Sequence, residues 1–261
     1  MRFVRVLHAA SFAGAAALVA CASDPVKKKQ LGVIPEIETS AQPEWLPFAV
    51  RAGEAFPMDS REQHFGELRT LAVDGNPLRV GWTPDGHSLV VRVADGKQER
   101  TVVVDLGTGS VNAASDDVVR AAYPPLSGSV ESRDKTRVAG YKQPGAELSV
   151  GSIAEEGGPK NMQPVGPRAS AAGDFLPDAR HFAFASDIDD APYFQLYLVD
   201  LDAPRADGVM PPRTRLTFAD GGSDAPAFSP DGQRIAFVSR RPDRRASAPR
   251  RVFVARWLEA R

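Results

Sequence analysis

Ala227-Phe228-Ser229-Pro230-Asp231-Gly232-Gln233-Arg234-Ile235-Ala236-Phe237 is the stretch whose reading decides the fold. It reads as the end of one strand, a tight turn and the start of the next strand. Pro230 presets φ at the second turn position, Asp231 serves the backbone two residues on, and Gly232 permits the exit conformation. Ile235 and Phe237 flank the small Ala236, so the two large side chains share one face of the second strand. The same sentence is spelled by Gly81-Trp82-Thr83-Pro84-Asp85-Gly86-His87-Ser88-Leu89-Val90-Val91. Phe175-Leu176-Pro177-Asp178-Ala179-Arg180-His181-Phe182-Ala183-Phe184 keeps Pro-Asp but has Ala for Gly. Glu131-Ser132-Arg133-Asp134-Lys135-Thr136-Arg137-Val138-Ala139-Gly140 keeps Ser, Asp and the apolar strand, with Glu131 in the aromatic position. The aspartates at 85, 134, 178 and 231 recur at intervals of 49, 44 and 53 residues, the period of a propeller blade.

A third strand follows each turn. Val102–Leu106, Leu196–Leu201 and Val252–Trp257 are rich in β-branched and aromatic residues, and Leu148–Ile153 is the weaker copy. A fourth segment, such as Arg215-Leu216-Thr217-Phe218, completes the set. Four strands per repeat is the content of one blade. The expected fold is therefore all-β, a propeller of about four four-stranded blades over residues 45–261. The 22 Gly and 22 Pro in 261 residues agree with many short elements joined by turns. The last repeat reaches Arg261 just after its third strand, and Leu68-Arg69-Thr70-Leu71 has the character of the missing outer strand. An N-terminal strand that seals the ring would remove two exposed edges at once. A fifth, irregular blade drawing on Trp45 to Phe56, or an array that closes only by association, are the alternatives.

Upstream of the repeats the chain carries an address. Arg2 and Arg5 precede an apolar run from Val6 to Ala20 that is too short to span a bilayer, the pattern of a secretory signal peptide over residues 1–20. Leu18-Val19-Ala20-Cys21 resembles the bacterial lipobox. In that family the cysteine thiol receives a diacylglyceryl group, the signal is cut before the cysteine, and the new amino terminus is acylated, typically with palmitate. Cys21 is the sole cysteine, which leaves no internal disulfide and no Cys-cluster metal site. Ala22, where Asp favours inner-membrane retention in enterobacterial lipoproteins, implies an outer-membrane anchor facing the periplasm. Residues 21–44, with Lys27-Lys28-Lys29 and several prolines, read as a lipidated flexible tether. Loss of residues 1–20 would leave 30 basic against 33 acidic side chains, a balance that does not suggest a nucleic-acid partner.

The order Leu-Thr, Pro-x-Phe-Ser-Pro-Asp-Gly and Ile-Ala-Phe-x-Ser at 216–239 resembles the WD40-like repeat of TolB-type β-propellers, a likeness that runs over about residues 67–258. TolB itself has six blades behind an α/β domain; only four repeats are visible here. Relatives of TolB bind envelope lipoproteins and peptides. The resemblance thus implies a non-enzymatic, lipid-anchored binding or scaffold module for a periplasmic protein or an envelope polymer. The rival class is a propeller hydrolase or lyase acting on a glycan or peptide at the channel mouth.

No nucleophile elbow, zinc-binding helix or phosphate loop is present. The turn residues Pro84, Asp85, Gly86, Pro230, Asp231 and Gly232 are read as structural, as are His87 and His181 beside them. His64 completes the histidines outside the signal. Asp187-Ile188-Asp189-Asp190 lacks the glycine and distal glutamate of a calcium loop, so no metal and no cofactor beyond the lipid on Cys21 is expected. Nine arginines lie between Arg234 and Arg261 against Asp243 and Glu259. Among them Arg240, Arg241, Arg244 and Arg245 form a candidate patch for an acidic partner or anionic lipid.

Overall fold

The computed structural model describes residues 51–123, 129–141, 147–166, 173–188, 193–204, 209–241 and 248–258. Cys21, the tether, Trp45, Asp189, Asp190, Arg244 and Arg245 lie outside them. Residues 47–261 form one compact unit.

The unit is a four-bladed β-propeller made of four antiparallel sheets in a ring. Two strands come first, β1 (Glu54–Ala55) and β2 (Phe65–Leu71). Blade 1 follows as β3 (Asn76–Trp82), β4 (Ser88–Asp95), β5 (Gln98–Asp105) and β6 (Val111–Ala113). A helix, α1 (Asp116–Ala122), leads to blade 2. That blade holds β7 (Ser129–Glu131), β8 (Arg137–Tyr141), β9 (Leu148–Ile153) and β10 (Pro159–Gly166). Blade 3 is β11 (Asp174–Phe175), β12 (His181–Ser186), β13 (Gln195–Asp200) and β14 (Arg213–Arg215). Blade 4 contributes β15 (Ser223–Phe228), β16 (Arg234–Ser239) and β17 (Arg251–Trp257). In every blade sequential strands are neighbours, and the first strand lies innermost.

β2 supplies the fourth strand of the last blade, pairing antiparallel with β17 so that Leu71 faces Val252 and Leu68 faces Ala255. The residues expected to seal the ring do so. β1 then adds a short fifth strand to the same sheet, with Glu54 opposite Thr70. Within the segment weighed for a fifth blade, Glu54–Ala55 is an edge of the fourth. One expected strand is shifted: β14 ends at Arg215, and beyond it the Leu216 N–H still donates to Leu196 O of β13 at 2.7 Å. There Leu216 is buried and the Thr217 hydroxyl donates to the Gln195 side chain at 2.7 Å.

All four turns share one geometry. Asp85 accepts from the Thr83 hydroxyl at 2.5 Å and the His87 N–H at 3.0 Å. Asp134 does the same with Ser132 and Thr136, and Asp231 with Ser229 and Gln233. Asp178 takes the N–H groups of Arg180 and His181. The fourth turn residue has positive φ in each: Gly86 and Gly232 at 70°, Lys135 at 57° and Ala179 at 53°. The degenerate repeats therefore keep the turn at the expense of backbone strain. Each of the two glycines also faces the turn proline of the preceding blade in the ring. A Cβ on Gly86 would lie 3.3 Å from Pro230, and one on Gly232 would lie 3.1 Å from Pro177.

The core is assembled by placing the large face of one blade on the small face of the blade before it. Leu89, Val91 and Val93 of blade 1 pack on Ala227, Ala236 and Val238 of blade 4. Phe228, Ile235 and Phe237 of blade 4 pack on Ala183 and Ala185 of blade 3. Phe175, Phe182 and Phe184 of blade 3 pack on Ala139 and Val150 of blade 2. The alternation read in the second strands is an alternation of size, since both faces of these strands are buried. Among the described residues no such cluster joins blade 2 to blade 1. Tyr123, at the end of α1, enters that seam. Its hydroxyl donates to Val90 O at 2.6 Å, and its ring lies where a Cβ on Gly81 would sit.

Candidate functional site

At the incompletely packed seam, a cavity of about 500 Å³ opens into the channel and is walled by all four blades and α1. Its volume lies within the usual range for ligand sites. The chemistry in it comes from side chains that the repeat pattern does not call for. Asp174 stands where the other repeats carry Gly81, Val130 and Ala227. Arg133 occupies the turn slot that is proline in the other three. Arg79 lies three residues before Trp82, where blade 4 has Ala225.

These groups meet around one backbone edge. The inner strand of a propeller blade leaves its channel-facing edge unpaired, and buried backbone groups need partners. Along β15 the partners come from each of the other blades. The Trp82 indole N–H donates to Ala227 O at 2.9 Å. The Phe228 N–H donates to Asp174 at 2.7 Å. The Arg133 guanidinium donates to Phe228 O at 2.7 Å and Ser229 O at 2.9 Å. Arg133 is thus a strut from blade 2 to blade 4 across the turn end of the channel. Burial pushes the Asp174 carboxyl up to about 6, against the opposing pull of the Phe228 N–H, Arg133 and Arg79.

Arg79 differs from its neighbours. Its guanidinium lies 4.8 Å from the centre of the Tyr123 ring, a cation–π contact, and burial pushes its pKa down. No carboxylate comes within ion-pair distance of it among the described residues. Arg120, in the same wall, is exposed and sits 3.5 Å from Asp117. The remaining lining is apolar or neutral apart from Glu131.

The structure corrects the arginine patch. Arg241 is not on a surface: its side chain is 1% exposed and forms two hydrogen bonds of 3.0 Å with Glu62, itself 0% exposed. The guanidinium also lies over the rings of Phe237 and Phe253. A cation in an arginine-rich stretch is here part of the core, because the strap before β2 brings a buried carboxylate to it. Arg240 is half-buried with its Nε unpartnered, close to the ion pair of Arg250 and Asp224. The repeat histidines are local: His181 bonds Asp178 of its own turn at 2.6 Å. His64 stacks on Trp257 at 5.4 Å. Among the described residues no group of three or more His, Cys, Asp or Glu is placed to hold a metal ion.

No protein-family model and no curated protein matches the chain. Solved structures do. TolB from Acinetobacter baumannii is 20% identical, with 72% of this chain aligned to 42% of that one at a TM-score of 0.38. A structure described as TolB from Agrobacterium tumefaciens is 18% identical, aligned over 72% of this chain and 65% of that one at 0.36. Oligogalacturonate lyase from Vibrio parahaemolyticus is 14% identical, over 71% and 52%, at 0.31. The chain spans less than two thirds of each of these proteins. At such identities and scores the architecture rests on the strand order itself, and the activities of those proteins remain theirs.

Proposed function

We propose that this chain is a lipid-anchored β-propeller of the bacterial cell envelope that serves as a binding or scaffold module for a periplasmic protein or envelope polymer. The carrying observation is the channel cavity: four blades converge on it, and a half-buried guanidinium faces it with no carboxylate at ion-pair distance among the described residues. That arrangement recognises a group rather than transforms one. No nucleophile–base pair stands within hydrogen-bond reach among the cavity's described residues, where the one buried carboxylate is engaged in backbone bonding. The lipobox-like Leu18–Cys21 and the tether after it support anchorage through a diacylglyceryl thioether and an N-acyl chain on Cys21. Two or more acyl chains give stable membrane attachment.

Two experiments test this reading. Cys21→Ser abolishes acyl labelling and membrane partitioning and leaves the propeller folded; acylation of the variant refutes the anchor. Crosslinking in native envelopes followed by capture recovers one stoichiometric partner. Turnover of an envelope glycan or peptide by the purified protein overturns the binding reading in favour of an enzyme.

A further inference from the structure

We propose that Arg79 is the anchor for a single carboxylate of an acidic peptide that enters the channel cavity. The inference rests on the cavity being the binding site and names what it takes. Four observations carry it. Arg79 is the large cation in a strand position that is Ala225 in blade 4, so the repeat does not require it. A partly buried charge is costly unless paired, yet this guanidinium has an aromatic face and, among the described residues, no carboxylate within ion-pair distance, Asp174 acting on it only from farther away. Its support is prearranged. The Tyr123 hydroxyl is tied to Val90 O at 2.6 Å and to Arg79 O at 3.2 Å, which fixes ring and strand together. The other deep cation, Arg133, is consumed by two carbonyls, leaving one guanidinium fork at depth.

The charge of the ligand follows from the rest of the wall. Asp174 and Glu131 share the cavity, so a dianionic phosphate would meet two carboxylates. A carboxylate brings one charge and matches the planar fork of arginine in a bidentate pair. A uronate polymer carries a carboxylate on every ring and calls for a row of cations along an open groove. Here a single free fork lies in a cavity whose turn end is crossed by the Arg133 strut. A chain end or the tip of a loop, with one acidic group, fits that geometry.

The test uses the full-length acylated protein in detergent micelles and three fluorescein-labelled pentapeptide pools read by polarisation. The first pool has a fixed central Asp and an amidated end. The second has Asn in its place. The third has the central Asn and a free terminal carboxylate. The expected result is that the first or the third pool binds about tenfold or more tightly than the second; which one identifies a side-chain or a terminal carboxylate. Arg79→Gln brings all three pools to the level of the second, while Arg100→Gln, at an exposed arginine of β5 outside the cavity, preserves the difference. Equal binding of the pools by the wild type overturns the proposal, as does an unchanged preference in Arg79→Gln. Preferential binding of oligogalacturonate with no Asp-over-Asn preference also overturns it and makes the site one for a polysaccharide. Should Arg79→Gln fail to fold, the wild-type Asp-to-Asn ratio and its decline with added salt decide the matter alone. Partner capture from envelopes that is unaffected by Arg79→Gln removes this anchor and leaves the binding module standing. Capture of nothing by either protein strikes the broader reading instead.

Discussion

The ion pair between Glu62 and Arg241 permits a test with opposite outcomes for one and two substitutions. Both side chains are out of solvent and joined by two hydrogen bonds of 3.0 Å. Glu62 also accepts the Phe218 N–H at 3.2 Å, and Arg241 Nε has no partner. Arg241→Met keeps an unbranched side chain over Phe237 and Phe253 but leaves Glu62 with one weak donor in an apolar surround. Removal of one partner of a buried pair costs about 3–5 kcal/mol. Glu62→Leu strands the guanidinium and costs a similar amount. The double variant removes both charges and the unsatisfied Nε. It also loses the Phe218 bond, about 1–3 kcal/mol for a buried N–H left without an acceptor. The expected double-variant loss is therefore no more than that, smaller than either single loss, with a coupling energy of about 3 kcal/mol or more. Urea unfolding of the four proteins, monitored by tryptophan fluorescence, reads all four values. A single substitution that costs under about 1 kcal/mol, or losses that simply add, refutes the claim that this pair is a buried clasp.

Three further outcomes are expected. The raised pKa of Asp174 means that the folded state holds its proton more tightly than the unfolded chain. That contribution is complete below about pH 4 and is lost as pH rises through about 6. The stability difference between wild type and Asp174→Asn, from melts between pH 4 and 7, therefore shifts toward the variant as pH increases. Lys135→Gly and Ala179→Gly relieve left-handed strain of about 1–2 kcal/mol each, less about 0.5–1 kcal/mol for the freer unfolded chain, so each raises the midpoint of thermal unfolding. Trp82→Phe leaves Ala227 O without its 2.9 Å indole donor and costs about 1–3 kcal/mol in chemical denaturation.

What could be read from the chain beforehand was whatever is decided locally. The Pro-Asp-Gly turns, the strands that follow them and the size alternation depend on residues within a dozen positions of one another. Even the seal by Leu68–Leu71 was legible, because a blade with three strands demands a fourth. The fourth strand of blade 3 begins earlier than the sequence suggests, at Arg213, because beyond Arg215 the pairing with β13 passes from backbone to the Thr217 side chain, whose hydroxyl accepts the Leu196 N–H. Arg241 was misread because its partner lies 179 residues away. The cavity was missed for the same reason: Arg79, Tyr123, Arg133 and Asp174 sit in separate repeats and meet only when the ring closes. A register comparison would have exposed two of them. Asp174 breaks a column of Gly81, Val130 and Ala227, and Arg133 breaks a column of prolines.

The pairing of β2 with β17 also sets an order of events in time. Leu71 and Val252 are 181 residues apart, and contacts of such separation are slow to form because the intervening loop must close first. Until β17 has been synthesised and has arrived, the edge of β2 that β1 does not cover is bare, and Phe65, Leu68 and Leu71 lack their burial partners. The middle blades can meanwhile assemble from neighbours in sequence. The ring is therefore completed by its first strand acting last, and throughout that interval Phe65–Leu71 is the segment that a chaperone has reason to hold.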